Sequence, residues 1–265
     1  MNSATGTLMA VWVRFTAHGA EGFGTLSGDT IAVHEGDMFA APRATGETLI
    51  RADVRLLMPC RPSKMICLWN NFHALAAKLG VAEPAEPLYL LKAPTSFLGP
   101  DQAIRRPASY DGKIVYEGEL GIVIGKACCN ASESEAADAI FGYTCINDVT
   151  AADIISKDPT FPQWARAKSF DTFGIFGPAI ATGLDPAALT VRTVLNGAER
   201  QNYAIADMVF PAPKLVSALS RDMTLLPGDV IACGTSVGVG VMKEAESVVE
   251  VTIDGIGTLR NTLKQ

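Results

Sequence analysis

Histidine is scarce in this 265-residue chain. The three present, His18, His34 and His73, are too scattered in sequence to build a local zinc site. No C-x-x-C spacing links the six cysteines, Cys60, Cys67, Cys128, Cys129, Cys145 and Cys233. They mostly lie in apolar, strand-like text and are expected to be reduced core thiols of a cytoplasmic protein. Basic stripes are missing too: 22 Lys and Arg against 28 Asp and Glu leave a net charge of −6, which argues against a nucleic-acid partner. Apolar runs such as the one starting at Leu120 are far shorter than a membrane span, and no basic-then-apolar leader opens the chain, so neither a membrane partner nor export is expected. Phosphate-binding loops and dinucleotide fingerprints are absent.

With 48% hydrophobic residues, the chain has enough apolar material for one large domain or a catalytic domain with a small appendage. From Met9 to Phe39 apolar and polar residues alternate between glycine turns, which predicts a three-strand meander. Pro42 to Glu47 follows as a polar connector. A domain boundary is placed near residue 60, separating a small N-terminal β-meander domain (1–60) from a catalytic domain (61–265). Beyond it, strands are predicted at Met65–Trp69, Leu88–Lys92, Ile114–Ile124, Phe141–Asn147, Val191–Leu195, Val249–Ile253 and Gly257–Asn261. Asn196-Gly197 and Asp254-Gly255 are read as hairpin turns. Helices are expected at Ala74–Leu79, Ser134–Ile140 behind a Ser132 cap, Ala151–Ser156 and Pro213–Ser220. The pattern is that of a β-rich α+β protein, largely antiparallel, without the βα alternation of a doubly wound fold.

The most informative stretch is Tyr116-Glu117-Gly118-Glu119-Leu120. Residues two apart in a strand share a face, so Glu117 and Glu119 would stand side by side inside hydrophobic text. Two adjacent ionised carboxylates repel unless a cation lies between them, and a hard divalent ion, Mg²⁺ or Mn²⁺, suits oxygen ligands. Asp148, ending another apolar strand, is a third carboxylate in need of a partner. The alternative for the glutamate pair alone is the solvated face of an edge strand. Gly234-Thr235-Ser236-Val237-Gly238 also fits G-x-S-x-G. Ser236 as a nucleophile is rejected, because glycines break any helix after it and no histidine follows it in the chain.

Five ordered motifs resemble the fumarylacetoacetate hydrolase family. They are Tyr116 to Leu120; Gly142-Tyr143 to Asp148-Val149-Thr150; Arg166-Ala167-Lys168-Ser169-Phe170-Asp171-Thr172-Phe173 with Gly177-Pro178; Leu226 to Ile231; and Gly234-Thr235 with Gly238-Val239-Gly240. The match runs from about Lys64 to Leu263. The resemblance implies a mixed β-roll, Mg²⁺ or Mn²⁺ held by Glu117, Glu119 and Asp148, a homodimer, and a small anionic 2-oxo or β-diketo carboxylate as substrate. It also implies that Lys168, read in a polar loop, bonds the ligand carboxylates or a substrate anion. Lys92, at a strand end, is a candidate for substrate contact or for a structural role. The turn at Gly234 and Thr235 offers N–H groups and a hydroxyl to a carboxylate, or is merely tight.

Two departures from the family stand out. Hydrolytic members carry Asn-Tyr-x-x-His-x-x-Glu, whose His and Glu activate water; here Leu75 and Lys78 occupy those positions. His73, two residues earlier and about 200° around a helix, is the remaining lid candidate for catalysis. Where many members have Arg and Gln, Ala152 and Ile155 make the pocket less polar. The leading expectation is a metal-dependent carbon-carbon bond hydrolase acting through an enolate. An isomerase, tautomerase or decarboxylase is the enzymatic alternative, and an inactive metal- and ligand-binding homologue is the non-enzymatic one.

Overall fold

Hydrogen bonds join the N-terminal strands to the rest of the chain in one twelve-stranded sheet. The computed structural model describes residues 9–264; the opening residues, read from sequence as carrying no leader, lie outside that span. The sheet order is Arg43–Ile50, Thr30–Glu35, Ala20–Ser27, Ala10–Ala17, Gly174–Thr182, Ile140–Asp148, Gly118–Ile124, Val230–Ala232, Met65–Trp69, Leu88–Lys92. Two short strands, Arg55–Leu56 and Phe97–Leu98, pair beside it. A five-stranded sheet runs Ala198–Ala204, Thr190–Leu195, Glu246–Ile253, Gly257–Lys264, Ala103–Arg105, and a three-stranded one runs Thr150–Ala151, Ile114–Tyr116, Gly240–Val241. Pairing is parallel between Val230–Ala232 and Met65–Trp69, at Phe97–Leu98, and at Ala103–Arg105; the other described pairings are antiparallel. The fold is the expected β-rich α+β architecture.

Both faces of the central strands of the large sheet are covered. Ile66, Leu68, Leu120 and Ile122 pack on one side with Val191, Val249 and Val251 of the five-stranded sheet and with Leu215 and Leu219 of helix Ala212–Asp222. On the other side Met65, Cys67, Val123, Ile146 and Val230 meet Met38 and Cys60, with Phe39 packed against them. These alternating sets are what period-two strands produce when both faces are dry.

Several local signals act as read. Ser132 caps helix Glu133–Ala139 in a reciprocal box with Glu135, which satisfies two helix-end donors. Asn196 and Gly197 both take positive φ, 49° and 77°, as a two-residue hairpin turn requires.

Elsewhere the structure corrects the reading. Pro42 to Glu47 is not a connector: Arg43–Ile50 is a fourth meander strand, almost wholly exposed, because an edge strand needs no apolar face. Gly174–Thr182, a central strand, is hidden by Gly177-Pro178; pairing jumps from Tyr143↔Ala181 to Cys145↔Gly177, an irregularity that accommodates a residue without an N–H. The predicted Ile114–Ile124 strand is two strands in different sheets, broken at Glu117. The Asp254-Gly255 hairpin has a three-residue loop, since Ile253 pairs with Gly257. Lys168 lies not in a loop but at the end of helix Trp164–Lys168. Of the six free cysteines, Cys128 is half-buried and Cys129 exposed, so only Cys60, Cys67, Cys145 and Cys233 are core thiols.

One buried carboxylate ties the parallel pair together. Asp229 accepts from Ser63 N, Ser63 Oγ, Lys64 N and Leu226 N at 3.1, 2.6, 3.2 and 2.8 Å and pairs with the Lys64 ammonium, its own side chain fully buried. Asp229→Ala would strand these donors and is expected to destabilise the protein by about 3–5 kcal/mol, as read by urea denaturation; a loss below about 1 kcal/mol would remove Asp229 as the anchor.

Candidate metal centre

The sheet face that carries Val123 and Ile146 turns acidic toward one end. Glu119 shares a face with Val123, and Asp148 shares one with Ile146, which pairs with Glu119. Glu117 sits where the chain leaves the three-stranded sheet, tied by Asp148 N donating to its carbonyl at 2.8 Å. One oxygen from each of Glu117, Glu119 and Asp148 lies within 4.8 Å of the others. The side chains of Glu119 and Asp148 are fully buried, while that of Glu117 is 16% exposed. The solvated-edge alternative for the glutamate pair is thereby overturned.

Two ammoniums stand against these three carboxylates. Lys168 Nζ donates to Glu117 Oε2 at 2.8 Å, Asp148 Oδ2 at 2.6 Å and Thr150 Oγ1 at 2.8 Å, while Thr150 donates to Glu117 Oε1 at 3.0 Å. Lys92 Nζ lies 2.6 Å from Asp148 Oδ1, but it directs its hydrogens to the carbonyls of Val149, Lys168 and Phe173 at 3.2, 2.7 and 2.8 Å. Its side chain is completely buried. Lys92 is thus engaged by Asp148 and three backbone carbonyls, the arrangement its structural alternative calls for.

Burial raises the Glu119 carboxyl well above its ordinary range, and Asp148 and Glu117 push it further. Glu117 is raised by burial as well, with Lys168 opposing. Burial also works against the Asp148 charge, yet Lys168 and Lys92 outweigh it and hold that carboxyl below the usual range. Burial alone would discharge Lys168, but Asp148 and then the two glutamates keep it above its ordinary value. Glu119 Oε1 accepts no hydrogen bond among the described residues, and Asp148 Oδ1 has only the Lys92 ammonium beside it. A buried carboxylate oxygen without a donor is costly, and with all three carboxylates ionised one negative charge is left over. This donor set fits a hard divalent cation with three protein ligands.

The turn at Gly234 serves the same cluster. Gly234 N donates to Glu119 Oε2 at 3.0 Å, so that N–H is engaged by a carboxylate of the cluster. Thr235 Oγ1, half-buried, donates to Gly118 O at 3.0 Å and accepts from Gln201 Nε2 at 2.8 Å. His73 is placed elsewhere: half-exposed at the start of helix His73–Leu79, its Nδ1 is 2.5 Å from Glu83 Oε1, a contact that raises its pKa. Leu75 packs against the core and Lys78 is exposed. Ser236 Oγ is buried and has no partner among the described residues, and a short strand, Gly240–Val241, rather than a helix, follows it.

Sequence reasoning missed the groups that hold Gly118. Gly118 N donates to Gln201 Oε1 at 3.0 Å, and its carbonyl accepts from Tyr203 OH at 2.6 Å as well as from Thr235. Polar residues on one strand face look like solvated ones in text, so Gln201 carried no signal. A Cβ on Gly118 would stand 2.0 Å from Thr193 Oγ1, which is why glycine separates the two glutamates. Gly118→Ala is expected to cost about 1–3 kcal/mol of stability and to loosen divalent-ion affinity; thermal melts and titration calorimetry equal to wild type would refute this account.

Comparison with known proteins agrees with the geometry. Residues 64–264 match the family described as fumarylacetoacetate (FAA) hydrolase C-terminal, and residues 12–59 match the one described as Rv2993c-like, N-terminal. The chain is 44% identical over 226 residues to Protein Rv2993c of Mycobacterium tuberculosis, covering 84% of this chain and 83% of that protein. It is 35% identical over 226 residues to oxaloacetate tautomerase YisK of Bacillus subtilis, covering 80% and 74%. Its structure is similar to the crystal structure of 2-hydroxyhepta-2,4-diene-1,7-dioate isomerase from Mycobacterium marinum, with a TM-score of 0.87, 38% identity and coverage of 97% and 98%. The chain belongs to the fumarylacetoacetate hydrolase family.

Proposed function

We propose that the chain is a divalent-metal-dependent tautomerase or isomerase of small 2-oxo carboxylates, in which a proton moves between oxygen and carbon and no water is consumed. The observation that carries this reading is the pairing of a complete carboxylate cluster with a lid helix that lacks the water-activating pair. Leu75 is turned into the core and Lys78 into solvent. Two relatives bear the names oxaloacetate tautomerase and 2-hydroxyhepta-2,4-diene-1,7-dioate isomerase, which are reactions of that kind.

Glu117, Glu119 and Asp148 would hold Mg²⁺ or Mn²⁺, which supplies Lewis-acid polarisation of the substrate's 2-oxo and carboxylate oxygens. Lys168 fixes the orientation of two of those carboxylates and adds a permanent positive charge beside the position where enolate charge develops. Thr235 is assigned to substrate contact, its one hydroxyl hydrogen turning from Gly118 O to the substrate carboxylate on binding while Tyr203 keeps that carbonyl bonded. Burial of the cluster keeps competing water away. In the enol-to-keto direction the enol oxygen loses a proton and C3 gains one, so atoms balance without a co-reactant.

Hydrolysis of an acylpyruvate is the second reading. One observation favours it: the His73–Glu83 contact is a histidine–carboxylate pair on the lid. The two readings separate when wild type and His73→Ala are given an acylpyruvate and enol-oxaloacetate, with hydrolysis products and enol absorbance followed separately. Rapid enol loss, slow hydrolysis and indifference to His73 are expected. Fast hydrolysis that depends on His73 would replace the tautomerase reading by the second one, and ligand-induced stabilisation without any turnover would leave a binding homologue.

Two substitutions test the assigned roles. Glu119→Ala is expected to abolish tight Mg²⁺ or Mn²⁺ binding, and unchanged affinity in calorimetry would sink the ligand set. Lys168→Met is expected to lower kcat by about 10² or more, as for the loss of one preorganised donor, while the fold is retained; near-normal kcat would return Lys168 to a purely structural role.

A further inference from the structure

Two tryptophans stand beside the carboxylate cluster, and neither the family motifs nor the proposed chemistry uses them. Trp69 ends the Met65–Trp69 strand, where it shares a face with Met65 and Cys67. Lys92, which pairs with Met65, reaches Asp148 from that face, and the buried Cys67 thiol feels the charges of Asp148 and Glu119. The parallel pairing ends at Ala232↔Cys67, and Gly234, two residues on with φ 89°, lies against the Leu68 carbonyl, next to Trp69 in the chain. The antiparallel register Gly121↔Ala232, continued by two residues, sets Glu119 beside Gly234, in agreement with the bond from Gly234 N to Glu119 Oε2. Glu119, Gly234 and the Leu68–Trp69 end of that strand thus lie side by side.

Trp164 reaches the same place from above. It lies four residues before Lys168 on one short helix, so the two side chains project from the same side, one turn apart. Lys168 ends on the carboxylates, and the Trp164 ring meets Trp69 with centroids 5.6 Å apart at 49°. Both indoles are only half-buried. Ala152 and Ile155, on the neighbouring helix Ala152–Ile155, add apolar surface, while Lys92 and Lys168 are both engaged.

We propose that Trp69 and Trp164 form an aryl-binding wall, so that the substrate is a 2-oxo acid with an aromatic tail on C3, an arylpyruvate, rather than a dicarboxylate. This rests on the tautomerase reading above. With the 2-oxo acid end at the carboxylate cluster, the ring on C3 packs against the indoles. A second carboxylate in that place would face two aromatic rings while Lys92 and Lys168 are already paired, a desolvation cost that an aryl ring avoids.

The test uses the Mg²⁺-loaded full chain, with the enol forms of phenylpyruvate and oxaloacetate as probes and titration calorimetry of phenylpyruvate and pyruvate alongside. Wild type is expected to favour phenylpyruvate in kcat/KM. Trp164→Ala and Trp69→Ala are each expected to lower the phenylpyruvate-to-oxaloacetate ratio by about tenfold or more, through KM rather than kcat. Trp164→Phe is expected to restore most of the ratio. A wild-type preference for oxaloacetate, or a ratio that neither tryptophan moves, overturns the proposal. If Trp69→Ala does not fold, Trp69→Gln makes the same comparison. If neither enol is turned over, the tautomerase reading fails, and calorimetry still decides the wall: phenylpyruvate binding tighter than pyruvate in wild type but not in Trp164→Ala upholds it, and equal affinities overturn it.

Discussion

Three carboxylates and two ammoniums share the buried end of one sheet face, and much of the surrounding structure answers that charge set. Asp148 is the centre of it. Lys168 comes to it from a helix and Lys92 from an edge strand, and together they hold its charge where burial alone would remove it. Among the described residues Glu119 has the Gly234 N–H as its hydrogen-bond donor, and its second oxygen has none. The cluster is balanced to within one negative charge, an arrangement suited to a cation and poorly suited to an empty apolar core.

Holding those groups in place requires more than the strands that carry them. Gly118 separates the glutamates, and both of its backbone groups are bonded by residues of the five-stranded sheet and of the turn after Val230–Ala232. The Asp229 anchor fixes the parallel pair from which the chain runs on to Gly234 and its bond to Glu119. On the same face, Val123 and Ile146 run into the apolar cluster with Met38 and Cys60, so the polar end is bounded by a dry one. The N-terminal strands reach this arrangement through Ala10–Ala17 pairing with Gly174–Thr182.

The functional reading follows from what this site keeps and what it lacks. The carboxylate cluster and Lys168 serve any chemistry that passes through an enolate. Water activation asks for a base, and on helix His73–Leu79 Leu75 faces the core while His73 is paired with Glu83 at the surface. Tautomerisation or isomerisation needs only the first set, which is why the lid helix weighs so much in choosing between reactions.

By itself the sequence determined the β-rich class, the carboxylates Glu117, Glu119 and Asp148, the departures at Leu75 and Lys78, and the capped and turn-bearing elements. These are properties of residue type and short spacing, such as Ser132 with Glu135 or Asn196 with Gly197. It did not reveal the exposed strand Arg43–Ile50 or the central strand broken by Pro178, because neither shows a clean period-two apolar pattern. It also left open whether Lys92 touched substrate. Only the tertiary structure decided that Lys92 is engaged by Asp148, that Gln201 and Thr193 demand glycine at 118, and that Trp69 and Trp164 meet beside the cluster. Each of these relations joins residues tens of positions apart, and register and helix placement, which local spacing does not encode, bring them together.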